Sequence, residues 1–229
     1  MKLSIIIPVY NEEKTIEAVL NKVAEQDFGD WTKEIIVVDD GSQDSSKLQV
    51  TSYKLQNKIE NLILITHSKN LGKGAAIRTG IKESSGDAVI IQDADLEYDP
   101  ADIKLLLDEL DRGANIVYGS RNLNPDRRGY SHYVWGVALL TWLVNLFFRT
   151  RLTDIYTCYK LFKTEVIKKI NIESSGFELE MELTVKTLKM GCRITEVPIH
   201  YYPRKFREGK KIRAKDGLKG IWTLVKYRF

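Results

Sequence analysis

The sequence predicts an α/β protein in which helices flank a mostly parallel central sheet. Between residues 3 and 119, short apolar runs rich in β-branched residues alternate with stretches of helical periodicity. Nearly continuous apolar strands are typical of parallel sheets buried on both faces, and the alternation is typical of βαβ units. Disorder and a disulfide-stapled fold are excluded, because 43% of the 229 residues are hydrophobic and 2 are cysteines.

The first strand–helix pair shows the pattern most clearly. Leu3–Val9 is a short, β-branched apolar run and therefore predicts a buried strand. Asn11 is predicted to cap the next helix, with Glu12 and Glu13 in its first turn, where the positive helix end favours acids. Apolar residues then recur at the helical period, at Ile16, Val19, Leu20 and Val23.

The later elements repeat this alternation. A second strand begins at Glu34 and ends in the acids Asp39 and Asp40. A Gly-rich turn, Asn70–Gly74, opens one of the helices. In chain order the further predictions are a helix at Ser45–Lys58, a strand at Leu62–Ile65, a helix at Ala75–Ser84, a strand at Ala88–Ile91, a helix at Ala101–Arg112 and a strand at Asn115–Gly119.

Polar residues follow four of the predicted strands. In open α/β sheets, ligands bind at the carboxyl ends of the strands. The exits are Tyr10–Glu12, Asp39–Gly41, Asp93–Asp95 and Arg121. Loops are polar in general, but four such exits together predict a ligand crevice at this edge of the sheet.

Asp93-Ala94-Asp95 is the most informative motif. Two carboxylates two residues apart, directly after a buried strand, suit one divalent cation, and their hard oxygens favour Mg²⁺ or Mn²⁺. Such an ion in turn binds the phosphates of a substrate. Glu97, two residues further on, is a third potential ligand.

A stretch from Tyr133 to Phe148 contains no charged residue but two tryptophans, Trp135 and Trp142. A bilayer span needs about 20 apolar residues, so this stretch is short for crossing a membrane. Flanking arginines and the tryptophans favour an interfacial helix, and a buried core helix is the alternative. The arginines are Arg127, Arg128, Arg149 and Arg151.

The net charge of +4 is concentrated near the end of the sequence. Residues 204–220 contain eight basic and two acidic residues, so this segment is +6 and the rest is −2. This local concentration of positive charge suggests an anionic partner, and a solvated basic tail is the alternative. Nucleic acid is not expected, because only Phe206 and Trp222 interleave with the charges.

The cysteines bear on the compartment. Cys158 and Cys192 fit no metal spacing and are predicted to be reduced in a cytosolic protein. No signal peptide is recognised at the start of the sequence.

Successive motifs resemble those of family 2 glycosyltransferases with the GT-A fold. They are Ile7–Glu13, Val38–Ser42, Asn70–Gly74, Asp93–Asp95 and Gly119–Arg121. Later residues resemble the branch of dolichol-phosphate mannose synthases and polyprenyl-phosphate glucosyltransferases, namely Thr153, Asp154, Cys158–Phe162, Glu180–Glu182, Glu196–Ile199, Arg204 and Lys211. The resemblance covers residues 3–220. It implies one domain over residues 1–229, with a nucleotide-sugar half at 1–121 and an acceptor half at 122–229 that includes the apolar helix (about 133–149) and the basic tail (about 204–220).

The resemblance also implies roles for individual residues. The base and ribose of the nucleotide are assigned to Pro8, Tyr10, Glu12, Val38 and Asp40. Asp93 and Ala94 are expected beside the ribose and phosphate, with Asp95 on the metal, while Arg121 contacts the donor. Arg204 and Lys211 match a basic pair that resembles the family's diphosphate clamp. Lys73 is either a phosphate or base contact or an exposed lysine.

The implied reaction inverts the anomeric carbon, and metal and basic groups stabilise the departing diphosphate. The donor is GDP- or UDP-linked, and the acceptor is a polyprenyl phosphate. A hydroxyl-bearing glycan is the alternative acceptor, and it would need a general base, for which Asp154 and Glu182 are the candidates. Glu180 is predicted to be a helix surface residue.

The expected location is peripheral, on the cytoplasmic face of a membrane.

A non-catalytic binding module and a nucleotidyltransferase are the remaining alternative functions. The full set of acidic and basic positions disfavours the first of these. The acidic rather than Gly-rich, basic segment after the first strand disfavours the second.

Overall fold

The described part of the chain is built on one seven-stranded sheet. The structure is a computed structural model that describes residues 1–57, 59–125, 131–176, 178–204 and 214–228, side chains at 131–135 and 214–218 excepted. The strands are β1 (Lys2–Val9), β2 (Thr32–Asp39), β3 (Leu62–Thr66), β4 (Ala88–Ile91), β5 (Ile116–Ser120), β6 (Lys160–Lys163) and β7 (Thr195–Pro198).

The strand order is β3-β2-β1-β4-β6-β5-β7. β1 pairs in parallel with β2 and β4, β2 pairs in parallel with β3, and β5 pairs in parallel with β7. β6 runs antiparallel to both of its neighbours. The prediction of a mostly parallel sheet is therefore confirmed, and the carboxyl ends of β1 to β4 lie at one edge.

Helices pack against this sheet. α3 contacts β1 and β2, and α4 contacts β5. The helices are α1 (Ile16–Glu25), α2 (Ser46–Gln56), α3 (Lys73–Glu83), α4 (Ile103–Asp111), α5 (Ser131–Phe148), α6 (Thr164–Ile167), α7 (Leu179–Lys189) and α8 (Ala214–Arg228). A 3₁₀ turn, Pro100–Asp102, leads into α4.

The start of the first helix differs from the prediction. α1 begins at Ile16 after Thr15, so Asn11 does not cap it, and the acid in its first turn is Glu17. Asn11 has a positive φ of 54°, and its Oδ1 accepts the Gln43 N–H at 2.9 Å. Its side chain thus ties the loop after β1 to the loop after β2, a tertiary contact that helical periodicity does not report.

Two strands were not predicted, β6 and β7. Each has four residues, too few for a periodic signal. β6 inserts between β4 and β5, so the sheet interleaves strands from the predicted donor and acceptor halves.

A second apolar core lies under α5, α7 and α8, beside the main core of the sheet. Its fully buried members include Val144 from α5, Met181 and Val185 from α7, and Ile155 from the connecting loop, and Leu224 from α8 is 1% exposed. Burial of these side chains fixes the three helices to one another.

Candidate active site

The acidic loop after β4, residues 93–99, forms the centre of the candidate site. Asp95 Oδ1 accepts the Glu97 N–H at 3.0 Å. Leu96, between them, has a φ of +62°. A branched residue in this left-handed region is strained, and such strain persists only where the surroundings impose it.

The surroundings of Asp95 disfavour the negative charge of its carboxylate. Burial, together with the like charges of Asp93 and Glu97, raises the pKa of Asp95 to about 7. A divalent cation would relieve this repulsion, so Asp93 and Asp95 fit such an ion. Two carboxylates completed by substrate phosphates are a common way of binding Mg²⁺.

Glu97, the predicted third metal ligand, is hydrogen-bonded through both of its carboxylate oxygens. Its Oε2 accepts the Tyr201 O–H at 2.8 Å, and its Oε1 accepts the Arg204 N–H at 2.8 Å. Across the described residues, no three His, Cys, Asp or Glu side chains are arranged to hold a metal. Glu97 instead fastens the segment after β7 to the acidic loop.

Arg204 bridges the acidic loop and the segment after β1. Its Nε donates to the backbone oxygen of Asp95 at 2.7 Å, and its Nη2 lies 3.0 Å from Glu12 Oε2. Glu12 and Arg204, both predicted donor contacts, are therefore brought together at this edge. Lys211 and most of the basic tail lie outside the described residues, as do Arg127 and Arg128.

Lys73, the first residue of α3, reaches the same loop. Its Nζ lies 2.8 Å from Asp93 Oδ1 and 3.4 Å from Glu180 Oε1. Burial opposes its charge, but Asp93 and Glu180 raise the pKa of Lys73 well above its usual value. Lys73 is therefore part of the site and not a solvent-exposed lysine.

Asp40 holds the Gly-rich turn that carries Lys73. Its two oxygens accept the Leu71 and Gly72 N–H groups at 3.0 and 2.7 Å, and His67 Nδ1 lies 2.7 Å from Oδ1. Asp39 is different: its buried Oδ2 has no hydrogen-bond partner among the described residues. Asp39 therefore offers an unused acceptor at the end of β2, whereas Asp40 is already bonded.

The remaining predicted nucleotide contacts divide between the edge and the core. Pro8 and Val38 are register partners in β1 and β2, and Val38 is fully buried with Ile36 and Ala76. Val38 therefore presents no exposed side chain to a ligand. Tyr10 is partly exposed beyond the end of β1, and Ala94 is buried within the acidic loop.

Arg121, after β5, is fixed by Asp154. Arg121 Nε and Nη2 lie 2.6 and 2.8 Å from the two Asp154 oxygens, and the Arg121 N–H donates to Oδ2 at 3.1 Å. The guanidinium also lies 5.0 Å from the centre of the Tyr201 ring. A two-point carboxylate contact orients a guanidinium, so Asp154 is placed to position Arg121.

Glu182, the other predicted base, contacts a different segment. Its carboxylate is fully buried and accepts the N–H groups of Glu173 and Ser174 at 2.8 and 2.7 Å. Burial would raise its pKa, but hydrogen bonds from Lys186 and Ser174 lower the pKa of Glu182. A lowered pKa makes a carboxylate a weaker general base. The contacts of Glu182 instead anchor the main chain of residues 173 and 174.

Comparison with known proteins identifies the family. A family model described as glycosyl transferase family 2 matches residues 4–170. The chain belongs to glycosyl transferase family 2. It is 29% identical to a dolichol-phosphate mannosyltransferase of Pyrococcus furiosus over 99% of its own length, and it spans 64% of that protein. It is 28% identical to an undecaprenyl-phosphate mannosyltransferase of Micrococcus luteus, covering 92% of this chain and 87% of that protein.

Solved structures share the fold. Glucosyl-3-phosphoglycerate synthase from Mycobacterium tuberculosis, in complex with Mn²⁺, UDP and phosphoglyceric acid, superposes with a TM-score of 0.75 at 19% identity. The match covers 99% of this chain and 78% of that one. The family 2 chain therefore has the GT-A fold that its motifs predict.

Two buried residues belong to the site although the sequence did not predict them there. Glu180 is 5% exposed, so its prediction as a helix surface residue is wrong. Lys160 is fully buried and ion-paired with Glu180. Both lie in motifs that resemble the family branch, but their burial has no local signal, because a charged residue in an amphipathic stretch is expected to face solvent until its partner is known.

The apolar stretch of the family 2 chain forms α5, which is only partly buried. Leu140 and Val144 face the second core, whereas large apolar side chains on the other side are exposed. α8 contacts α5 and also exposes apolar residues. We call these the α5–α8 surface: Leu139, Trp142, Leu146, Ile221, Trp222 and Val225. No helix among the described residues is long and apolar enough to span a bilayer.

Proposed function

We propose that the protein is an inverting, metal-dependent hexosyltransferase that moves a sugar from a nucleotide donor to a polyprenyl phosphate. The observation that carries this proposal is the placement of two basic side chains on the acidic loop, with Lys73 at the Asp93 carboxylate and Arg204 at the Asp95 main chain. The names of the relatives, which include mannosyltransferases and a dolichyl-phosphate beta-glucosyltransferase, support mannose or glucose as the transferred sugar. The donor type in this proposal is GDP-mannose or UDP-glucose.

The residues of the edge divide the work of binding the donor. As the glycosidic bond breaks, negative charge grows on the nucleoside diphosphate. Asp93 and Asp95 would hold Mg²⁺ or Mn²⁺, which would supply Lewis-acid stabilisation of that charge. Lys73 and Arg204 add fixed positive charge, and Asp154 orients Arg121 toward the donor phosphates or sugar.

An anionic acceptor fits the state of the predicted bases. A lipid phosphate is already ionised near neutral pH, so it requires positioning rather than deprotonation. Asp154 is bonded at both oxygens to Arg121, and Glu182 is bonded to loop amides and Lys186. Both carboxylates are thus engaged in holding other groups, which favours the phosphate acceptor over a hydroxyl.

We further propose that the protein docks peripherally on the cytoplasmic face of a membrane through the α5–α8 surface. Exposed Trp142 and Trp222 suit the interfacial zone of a bilayer, and nearby basic residues such as Arg149 and Lys219 suit anionic headgroups. Such docking would place a lipid acceptor within reach of the protein.

The proposal is tested by incubating the protein with radiolabelled GDP-mannose or UDP-glucose, polyprenyl phosphate, and Mg²⁺ or Mn²⁺. Label extracted into the organic phase from one donor is the expected result, and it names the base and the sugar together. Addition of EDTA should abolish it.

Other outcomes separate the parts of the proposal. Metal-dependent donor hydrolysis without organic label would overturn the lipid acceptor and favour a glycan hydroxyl. If the protein neither transfers nor hydrolyses any of the donors, this result would contradict the hexosyltransferase activity itself.

A further inference from the structure

A buried carboxylate in the first turn of α7 is shared by two lysines. Glu180 Oε1 accepts the Lys73 ammonium at 3.4 Å, and Oε2 accepts that of Lys160. Glu180 is 5% exposed and Lys160 is fully buried. Charges are retained at such depth when each is paired, so these contacts form a connected row of alternating charges that ends at Asp93.

Lys160 fixes the Glu180 oxygen that does not contact Lys73. Besides Glu180, its ammonium donates to the backbone oxygens of Ile155, at 3.0 Å, and Thr157. These contacts occupy the three protons of the ammonium, and the group also lies 4.9 Å from the centre of the Tyr118 ring. The carboxylate of Glu180 is therefore held in place, with its other oxygen toward Lys73.

Lys73 lies between two carboxylates, of which only one fits a bound cation. It is 2.8 Å from Asp93, which fits a divalent cation, and 3.4 Å from Glu180, which lies behind the site. A cation bound at Asp93 would weaken the attraction between Asp93 and Lys73, because two positive charges would then share one carboxylate. Glu180 is then the charged partner that Lys73 keeps, next to a contact with the Cys158 sulfur at 3.7 Å.

We propose that Glu180, backed by Lys160, is a positioning residue that keeps the Lys73 ammonium beside the donor diphosphate once metal and donor occupy Asp93. Lysine has a long flexible stem, so without a second anchor its ammonium would move to other positions. This inference rests on the proposed function, since it requires a nucleotide diphosphate at the site.

The test measures nucleotide binding by calorimetry, without turnover. UDP and GDP are titrated separately into the wild type with Mn²⁺, and the tighter one is used for the variants. Glu180→Gln should weaken binding about tenfold, as should Lys73→Met. The double variant should bind no more weakly than Lys73→Met alone, because Glu180 acts through Lys73.

A second variant protects the test against misfolding. Glu180→Gln leaves Lys160 buried without its carboxylate, whereas Glu180→Gln/Lys160→Met removes both charges at similar volume, which folds tolerate better. It should show the same loss of about tenfold in nucleotide affinity. The matched control is Glu34→Gln, which removes another buried, lysine-paired carboxylate at the opposite end of β2.

The outcomes are distinct. The control should lose stability and keep its nucleotide affinity. Affinity of Glu180→Gln/Lys160→Met within about twofold of wild type would overturn the inference, as would additive losses in the Lys73→Met/Glu180→Gln pair. Failure of the wild type to bind either nucleotide would instead contradict the proposed function.

Discussion

At the scale of single residues, the site is an arrangement of charges that are balanced to different degrees. Lys73 neutralises Asp93, and Arg121 neutralises Asp154. The carboxylate of Asp95 has the Glu97 N–H and the charge of Arg204 in its favour, against burial and two neighbouring carboxylates. Repulsion within the acidic loop is what a bound cation would relieve.

Replacing Asp95 by Asn should abolish metal-dependent transfer while leaving the metal-free protein no less stable. The substitution removes a ligand, and it also removes a like charge from the loop. Transfer of labelled sugar and thermal unfolding in EDTA measure the two effects. Asp99→Asn, a change of the same kind further along the loop, is the control and should keep both properties. A fully active, metal-dependent Asp95→Asn protein would exclude Asp95 as a ligand.

At the scale of elements, a buried carboxylate ties β1 and β2 to the turn after α3. Glu34 accepts hydrogen bonds from Ser4 Oγ at 2.5 Å and from Ser85 N–H and Oγ at 2.8 and 2.7 Å, and it pairs with Lys2 at 2.6 Å. Burial would raise its pKa, but these partners lower the pKa of Glu34 to about 2. Ionised Glu34 therefore stabilises the amino-terminal end of the sheet.

The sign of this shift predicts a pH dependence of stability. A carboxyl whose pKa is depressed by folding contributes its full stabilisation above its unfolded pKa, near 4.5, and loses it as the pH falls toward about 2. Glu34→Gln should lower the free energy of unfolding by about 1–3 kcal/mol at pH 7 and flatten its decline between those pH values. Urea unfolding across that range measures it. Parallel curves for variant and wild type would contradict the assignment.

The Gly-rich turn and the loop before α7 are packed against each other at main-chain contact. The Gly74 N–H donates to the Ser175 oxygen at 2.9 Å, and a β-carbon at Gly74 would overlap the Ser174 carbonyl. Glu182 holds the same loop from the other side through the Ser174 N–H. The position of Lys73 thus depends on a loop 100 residues later in the chain.

Gly74→Ala should therefore cost about 1–3 kcal/mol of stability and reduce donor binding, because the turn must move away from the loop. Gly136→Ala is the matched control: a β-carbon there meets nothing within 4 Å, and alanine favours the helix. Denaturant unfolding and nucleotide calorimetry measure both. Equal behaviour of the two variants would show that the contact does not constrain the turn.

At the scale of the whole molecule, the candidate active site and the exposed apolar surface occupy different parts of the fold. The acidic loop lies at the carboxyl edge of the sheet, and the α5–α8 surface lies over the second core. α7 connects them, since Glu180 contacts Lys73 while Met181 and Val185 pack in that core. The same helix supports the donor site and the proposed docking surface.

Vesicle binding tests the docking surface. Trp142→Ala/Trp222→Ala should reduce cosedimentation with vesicles of phosphatidylcholine and phosphatidylglycerol at least about tenfold, since two large apolar contacts are lost. Leu105→Ala, which truncates an exposed leucine on α4, should bind like wild type. Undiminished binding of the double tryptophan variant would exclude this surface as the contact.

Much of the fold and of the site followed from local sequence. The strands β1 to β5 are apolar runs, and parallel strands bring their carboxyl ends to one edge whatever the remaining contacts are. The motif Asp93–Asp95 and Arg121 could therefore be assigned to this edge before any distance was known. Arg204 was implied only by the resemblance to the family, and Lys73 was left open between a ligand contact and an exposed lysine.

What the sequence left open depends on partners that are remote in the chain. Glu180 meets Lys73 across 107 residues, Glu97 is occupied by an N–H 107 residues away, and β6 inserts between strands that lie before it in sequence. The burial of Glu180, the engagement of Glu97 and Asp40, and the exposed side of α5 are set by such contacts. A charge or an apolar residue does not specify its own surroundings, because burial and pairing are properties of the packed chain.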